Sequence, residues 1–190
     1  MENQARPDRN HFPFHAGAPI RPTSWLAVRT LESETVRAAL TSQGEFVISP
    51  RVNGWVIVTG RGLPNPVVDV DRSFHFLTAV SRRLGHLQFF HMENVSGHHS
   101  WARLDDGCVT RAYAWAGETI WNQGDPTQAE RRLRMNCHDY GETTSVCAPA
   151  RLEDALENVG KIPLLAARWS LDPEILHRYQ GHSGDASPFY

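Results

Sequence analysis

The sequence predicts one domain of the α+β class with a split βαβ (ferredoxin-like) start, an added antiparallel β-hairpin and a group of C-terminal helices. Three observations lead to this prediction. Strand and helix patterns follow the order βαββαβ between residues 25 and 93, an Asp-Gly pair then marks a hairpin turn, and the later segments show helix signals. A chain of 190 residues, 41% of them hydrophobic, is long enough to bury a core.

The first four predicted elements are a strand, a helix and two further strands. Alternating apolar and polar residues in "WLAVRTL" (25–31) predict a strand, and residues 33–44 predict a helix that starts at a serine and ends at a glycine. The segments 45–49 and 55–60 are rich in β-forming residues and are separated by Asn53-Gly54, which predicts a turn between two strands.

A second helix and a fourth strand complete the βαββαβ order. Val70, Leu77 and Leu84 lie on one face of the helix predicted over residues 69–85, and Gly85 supplies its C-terminal end. The apolar segment "HLQFFHME" (86–93) then predicts a strand.

The β-hairpin is predicted from the two-residue turn Asp106-Gly107. That turn places Trp101 opposite Ala112 and His99 opposite Ala114, so that large residues oppose small ones. We therefore expect both faces of the hairpin to be covered in part. A three-residue loop would shift the register by one residue and turn every side chain to the other face.

The remainder of the domain is predicted to be helical. Residues 125–128 combine a capping residue with a proline in the first turn, which is a helix start. Residues 150–160 and 162–170 predict two short helices, and Asp172-Pro173 begins a last one.

The domain organisation follows from composition. Residues 1–23 are polar and proline-rich and predict an irregular N-terminal arm, residues 24–180 predict a single α+β domain, and residues 181–190 predict a C-terminal tail. The arm carries Phe12 and Phe14, which are suited to attaching it to the domain or to a partner.

Charge and hydropathy exclude several classes of protein. The formal net charge of −2 and a pI near 6.5 are unlike the basic field of a nucleic-acid-binding protein. The sequence contains no run of 18 apolar residues and no apolar region of a secretory signal, so we expect no membrane association and a cytoplasmic location. Three cysteines in such a chain predict no disulfide framework.

No sequence motif predicts a catalytic residue, a cofactor or a metal site. Gly60-Arg61-Gly62 follows a strand but lacks the third glycine and the helix of a dinucleotide-binding motif. The histidines 91, 98 and 99 do not share one face of a strand, and the group Cys137, His138 and Cys147 matches no zinc-binding spacing. The cysteines are interpreted as small hydrophobic residues.

The segment "RAYAWAGETIWNQG" (111–124) provides the candidate binding site. An arginine flanked by aromatic residues can stack on them and still donate hydrogen bonds, and Glu118 is placed to pair with Arg103 or Arg111. Trp121 falls outside the alternation and is expected to be the most exposed tryptophan. The predicted partner- or ligand-binding residues are Arg103, Arg111, Tyr113, Trp115, Glu118 and Trp121. The alternative is that Tyr113 and Trp115 are core residues and that Arg111 reaches a carboxylate at the edge.

The motifs "GWVIVTG", "HSWARLDDG", "RAYAWAGETIWNQG" and "AARWSLDP" resemble those of a family of small bacterial cytosolic proteins without an assigned activity. The resemblance covers residues 25–175. It implies a shared scaffold built around tryptophan and glycine, and it implies no catalytic residue. Proteins of this kind often serve as immunity or accessory factors in bacterial defence systems, including toxin–antitoxin and CRISPR-associated loci.

Two functions remain open from the sequence. The first is a non-enzymatic module that binds another protein as an accessory or immunity factor. The second is an enzyme or small-ligand-binding protein with a pocket around Arg111, Trp115, Glu118 and the histidines His98 and His99. An enzyme needs a concave pocket with converging polar groups, whereas a binding module needs an apolar patch or a free sheet edge.

Overall fold

The computed structural model describes residues 23–30, 32–40, 44–141 and 148–175, except for the side chains of residues 148–151. This part of the chain is an α+β structure, as predicted, with a seven-stranded antiparallel sheet and four helices. The predicted tail, the predicted arm apart from Thr23, and most of the last predicted helix lie outside the described residues.

The strands of the sheet are β1 (Ser24–Arg29), β2 (Val47–Ile48), β3 (Trp55–Thr59), β4 (Leu87–Met92), β5 (His99–Asp105), β6 (Cys108–Trp115) and β7 (Thr119–Gln123). The helices are α1 (Ser33–Leu40), α2 (Val70–Leu84), α3 (Gln128–Leu133) and α4 (Ala148–Trp169). The strand order is β2-β3-β1-β4-β5-β6-β7, and all neighbours are antiparallel. The sheet is therefore larger than a four-stranded ferredoxin-like sheet, because β5, β6 and β7 extend it from β4.

Helices α1 and α2 cover one face of the sheet. The carboxylate of Asp69 accepts a hydrogen bond from Arg72 N at 2.8 Å and caps α2, which ends at Gly85 with φ of 77°. Leu77 and Val80 are buried in a cluster that also contains small side chains of β5 and β6, among them Ala102. These small side chains leave room for α2 to lie close to the sheet.

Helix α4 covers the opposite face as one continuous helix of 22 residues. The prediction of two short helices that part near Gly160 and Pro163 is wrong at this point. A glycine costs a helix about 0.5–1 kcal/mol relative to alanine, and a proline removes one hydrogen bond. Burial of Val159, Ile162 and Ala166 against the sheet offsets both costs, because each residue is almost completely removed from water.

The hairpin register differs from the prediction beyond its first pairs. Asp106 and Gly107 form the turn with positive φ angles, and Leu104 faces Val109 as expected. A β-bulge then shifts the pairing, because Thr110 is an extra residue in β6 and its Oγ1 donates to the carbonyl of Arg103 at 3.1 Å.

The bulge changes which side chains meet on each face. Trp101 faces Tyr113 and His99 faces Trp115, so the large aromatic residues lie together on the α4 face. The small residues Ala102, Ala112 and Ala114 lie together on the α2 face. Both faces of the hairpin are covered, as predicted, but large residues oppose large ones and small oppose small.

Candidate functional site

Arg111 lies in the interior, with 1% of its surface exposed. Its Nε donates to Glu130 Oε1 at 2.8 Å, and its Nη1 donates to Asn122 Oδ1 at 2.8 Å and to the carbonyl of Gly124 at 3.0 Å. Its Nη2 donates to Cys137 Sγ at 3.2 Å. All three guanidinium nitrogens are therefore occupied by acceptors of the protein itself.

The carboxylate of Glu130 receives three hydrogen bonds from different parts of the fold. Besides Arg111, Trp101 Nε1 donates to Oε1 at 2.7 Å, and the backbone N–H of Thr127 donates to Oε2 at 2.6 Å. Thr127 and Glu130 form a capping box at the start of α3, where the sequence placed the helix start two residues earlier. This buried ion pair joins the hairpin to α3, whereas the predicted carboxylate at an edge would have been exposed.

The aromatic residues beside Arg111 form a buried stack with His99. The His99 ring is stacked between Trp101 and Trp115, at centroid distances of 5.6 and 5.9 Å. Its Nδ1 donates to the carbonyl of Gly97 at 2.7 Å, and Nε2 accepts from Asn158 of α4 at 3.3 Å. Burial lowers the pKa of His99 to about 4, so the ring is neutral at pH 7.

Tyr113 and Trp115 face helices α3 and α4 and belong to the buried cluster beneath α4. The Tyr113 hydroxyl accepts a hydrogen bond from the backbone N–H of His138 at 3.1 Å. The Arg111 guanidinium carbon lies 5.9 Å from the centroid of the Tyr113 ring, and Tyr113 and Trp115 lie on a face that the helices cover. Their predicted role in contacting a partner stays a prediction.

Trp121 lies on the other face of the sheet, and the expectation that it is exposed is wrong. It is 8% exposed, pairs with Ala114 and meets Phe74 of α2 edge to face at 5.9 Å. A second bulge in the β6–β7 pairing, between Ala114 and Trp115, places the indole against α2. The alternation of apolar and polar residues in the sequence therefore does not predict on which side of the sheet Trp121 lies.

Glu118 and Arg103 are separated from the Arg111 pair. Glu118 is exposed in the β6–β7 turn and forms no ion pair within the described residues, so the predicted pairing with Arg103 or Arg111 is wrong there. The Arg103 guanidinium lies over the ring of Trp169 at the end of α4, 5.2 Å from its centroid.

The histidines and the cysteine nearest to this cluster occupy separate environments. Glu93 stands between two histidines, 3.5 Å from His91 Nε2 and 3.4 Å from His98 Nδ1, and the described part of the chain contains no group of three or more side chains arranged to hold a metal ion. Burial raises the pKa of the Cys137 thiol to about 12, so it stays protonated at neutral pH. Cys147 lies outside the described residues.

Two clefts open elsewhere on the surface. One, of about 690 Å³, lies between the β3–α2 loop and the start of α2 and is lined by Arg61, Leu63, Arg72 and Phe76 among others. The other, of about 710 Å³, lies beside the β2–β3 turn and is lined in part by Arg29, Arg51 and Trp55. None of the predicted binding residues lines either cleft.

The solvent-facing side of α4 carries an apolar row that is not among the predicted binding residues. Leu152, Leu156 and Leu164 are 42%, 41% and 54% exposed, and Gly160 lies between the last two at the same spacing of four residues. We call these four residues the α4 outer face. The i, i+4, i+12 spacing of leucines is visible in the sequence, but dividing the segment near Pro163 separated Leu164 from the other two.

Comparison with protein-family models, curated proteins and solved structures finds no match for this chain. In the part of the chain described by the structure, no helix combines the length and the apolar character needed to cross a membrane.

Proposed function

We propose that this protein is a non-enzymatic module that binds another protein through the α4 outer face. The observation that carries the proposal is the helix itself, which presents apolar residues on two opposite sides. The inner side, with Val159, Ile162 and Ala166, is covered by the sheet, and the outer side is open to solvent.

The packing of α4 against the sheet does not require three exposed leucines in one row. Scattered exposed apolar residues are normal on a protein surface, but a continuous row on one helix is typical of a helix-binding surface. The loop between β4 and β5 approaches one end of the row, because a Cβ atom built on Gly97 would lie 3.4 Å from Leu152 and 3.7 Å from Leu156.

The charged residues beside the leucine row indicate which charges the partner's surface should carry. Glu153 and Glu157 are exposed in the N-terminal half of α4, and Arg168 is exposed near its C-terminal end. The complementary surface is a helix with an apolar ridge, with basic side chains opposite the glutamates and an acidic side chain opposite Arg168. An accessory or immunity factor of a defence system would use such a surface, and that setting stays a prediction.

We further propose that β1–β4 with α1 and α2 form a split βαβ unit of the ferredoxin-like type. Support comes from β3 lying between β1 and β2, from β1 lying between β3 and β4, and from both helices packing on one face. In this interpretation, β5–β7 and α4 are the additions that create the binding surface.

A second candidate function is the binding of a small anion in the cleft at the start of α2. Arg61 and Arg72 line this cleft together with Glu45 and Asp69, and neither arginine side chain has a hydrogen bond or ion pair within the described residues. Leu63 and Phe76 add an apolar wall. This cleft replaces the predicted pocket around Arg111, whose nitrogens already donate within the chain.

The test of the binding module begins with hydrogen–deuterium exchange on a purified complex. A partner captured from the source organism is purified, mixed with this protein, and residues 152–164 are expected to gain protection. Leu156→Glu is expected to weaken binding about tenfold or more. The matched control is Val68→Glu, which changes another exposed apolar residue to glutamate outside α4. Equal loss in both variants, or protection confined to other segments, would refute the proposed surface.

The cleft is tested by titration with inorganic phosphate and a short-chain fatty acid, read by calorimetry. The pair Arg61→Ala and Arg72→Ala is expected to abolish a heat of binding that Arg168→Ala leaves unchanged. Absence of binding in the unmodified protein would remove this candidate for these two probes.

A further inference from the structure

We propose that the helix recognised by the α4 outer face is α4 of a second copy, crossing it antiparallel about a two-fold axis at Gly160. This inference rests on the proposed function, because it names the partner of the same surface. A second copy has the required chemistry, since α4 itself carries an apolar ridge with opposite charges toward its two ends.

Two of the three leucines are placed symmetrically about Gly160. Leu156 and Leu164 each lie four residues away, which is about 6 Å along the helix axis on either side. A two-fold axis at Gly160 therefore places Leu156 of each copy opposite Leu164 of the other. Such an interface uses the same patch on both subunits and closes at two copies.

Gly160 permits the two helices to approach closely. A Cβ atom built at this residue would have no other atom of the described residues within 4 Å, apart from its chain neighbours and the backbone of its own helix, so the glycine faces open space there. A residue without a side chain at the crossing point lets helix axes come nearer than the usual 8–10 Å. A close crossing brings the flanking leucines into contact.

The charges select the antiparallel orientation. The same two-fold axis places Glu153 of each copy beside Arg168 of the other, and neither residue has an ion pair within the described residues of its own chain. Glu157 already bonds Lys161 at 2.7 Å within the helix and contributes negative charge to the same half. A parallel arrangement would place like charges together, and antiparallel helix dipoles are also favourable.

The decisive experiment exchanges these charges and measures self-association of the full chain by sedimentation equilibrium. In Glu153→Arg both contacts across the axis become Arg–Arg, and in Arg168→Glu both become Glu–Glu. Each variant alone is expected to dimerise about tenfold more weakly than the unmodified protein. An equimolar mixture is expected to recover the original affinity. The introduced arginine of the first variant then meets the introduced glutamate of the second, and the native Arg168 of the first meets the native Glu153 of the second.

A second set of variants tests the apolar contact. Gly160→Leu fills space that none of the described side chains occupies, so we expect the fold to be retained, the crossing to be blocked and the dimer to be lost. Leu156→Glu should act in the same way, and Val68→Glu should dimerise normally. Far-ultraviolet circular dichroism of each variant confirms that the subunit is folded.

The outcomes separate this inference from the proposed function. An unmodified protein that stays monomeric overturns the second copy as partner, and a complex with another protein that Leu156→Glu disrupts would then still support the binding surface. A dimer that survives Gly160→Leu and Leu156→Glu uses another surface and also overturns the inference. Two charge variants that fail to recover affinity on mixing refute the antiparallel arrangement.

Discussion

Replacing Arg111 with alanine is expected to destabilise the fold by about 3–5 kcal/mol, the usual cost of removing one partner of a buried ion pair. Both Arg111 and Glu130 are 1% exposed, so solvent cannot replace the lost partner. The substitution leaves Glu130 with two of its three donors, and it also leaves the acceptors Asn122 Oδ1 and Gly124 O without the guanidinium.

The size of the effect is large relative to the whole stability of a domain, which is typically about 5–15 kcal/mol. In a chain of this length each 1 kcal/mol lowers the melting temperature by about 2–4 °C, so a decrease of roughly 6 to 20 °C is expected. Arg111→Lys keeps the charge and loses the planar fork of donors, so its loss of stability should be intermediate.

Urea unfolding followed by tryptophan fluorescence measures these differences. Arg132→Ala is the matched control, because it removes an exposed arginine of α3 without an ion pair in the described chain and should change stability by no more than about 0.5 kcal/mol. An Arg111→Ala protein within about 1 kcal/mol of the unmodified protein would show that the buried pair does not support the fold. It would also return Arg111 to the candidates for partner contact.

Three further outcomes follow from the same contacts. Trp101→Ala should lower the free energy of unfolding by about 3–5 kcal/mol, because it removes a buried ring. Trp101→Phe should lower it by about 1.5–3 kcal/mol, because it removes mainly the hydrogen bond to the Glu130 carboxylate. Equal losses of the two variants in urea unfolding would contradict this. Because the pKa of His99 is about 4 when folded and near 6.5 when unfolded, the unfolded chain binds the extra proton between these values. The free energy of unfolding should therefore fall by roughly 3 kcal/mol as pH decreases from 6.5 to 4. His99→Phe should remove this part of the slope and leave the part due to His91, whose pKa burial also lowers. An unchanged slope would refute a neutral buried His99. Because burial raises the pKa of Cys137 to about 12, its thiol should resist iodoacetamide at pH 8 while the exposed Cys108 reacts. Peptide mass spectrometry measures the labelling of each cysteine. Comparable labelling of the two in the folded protein would contradict the burial argument.

Local signals in the sequence were sufficient for the parts of the fold whose causes are local. The α2 helix begins beyond Asp69 and ends before Gly85 as predicted, because capping and backbone conformation act within one turn. The turns at Asn53-Gly54 and Asp106-Gly107 have the positive φ angles that these residues tolerate. The α+β class follows from such elements taken in order.

Tertiary packing decided the features that depend on distant residues. The bulge at Thr110 shifts the hairpin register and gathers Trp101 and Tyr113 on one face, and nothing in the Asp-Gly turn indicates it. The partner of Arg111 lies 19 residues away on α3, although an acidic residue much nearer in sequence, Glu118, is available. Arg111 pairs with Glu130 because Glu130 is buried and is held in place by the Thr127 cap, whereas Glu118 is exposed.

The candidate binding surface also depends partly on local sequence and partly on tertiary packing. The spacing of Leu152, Leu156 and Leu164 is present in the sequence, but it defines one surface only if the helix continues through Gly160 and Pro163. Local propensity favours a break there, and burial of the inner side of α4 against the sheet overrides it. The sequence alone determined which residues are apolar and how they repeat. The packing of α4 against the sheet determines which of these residues are covered and which remain available to a partner.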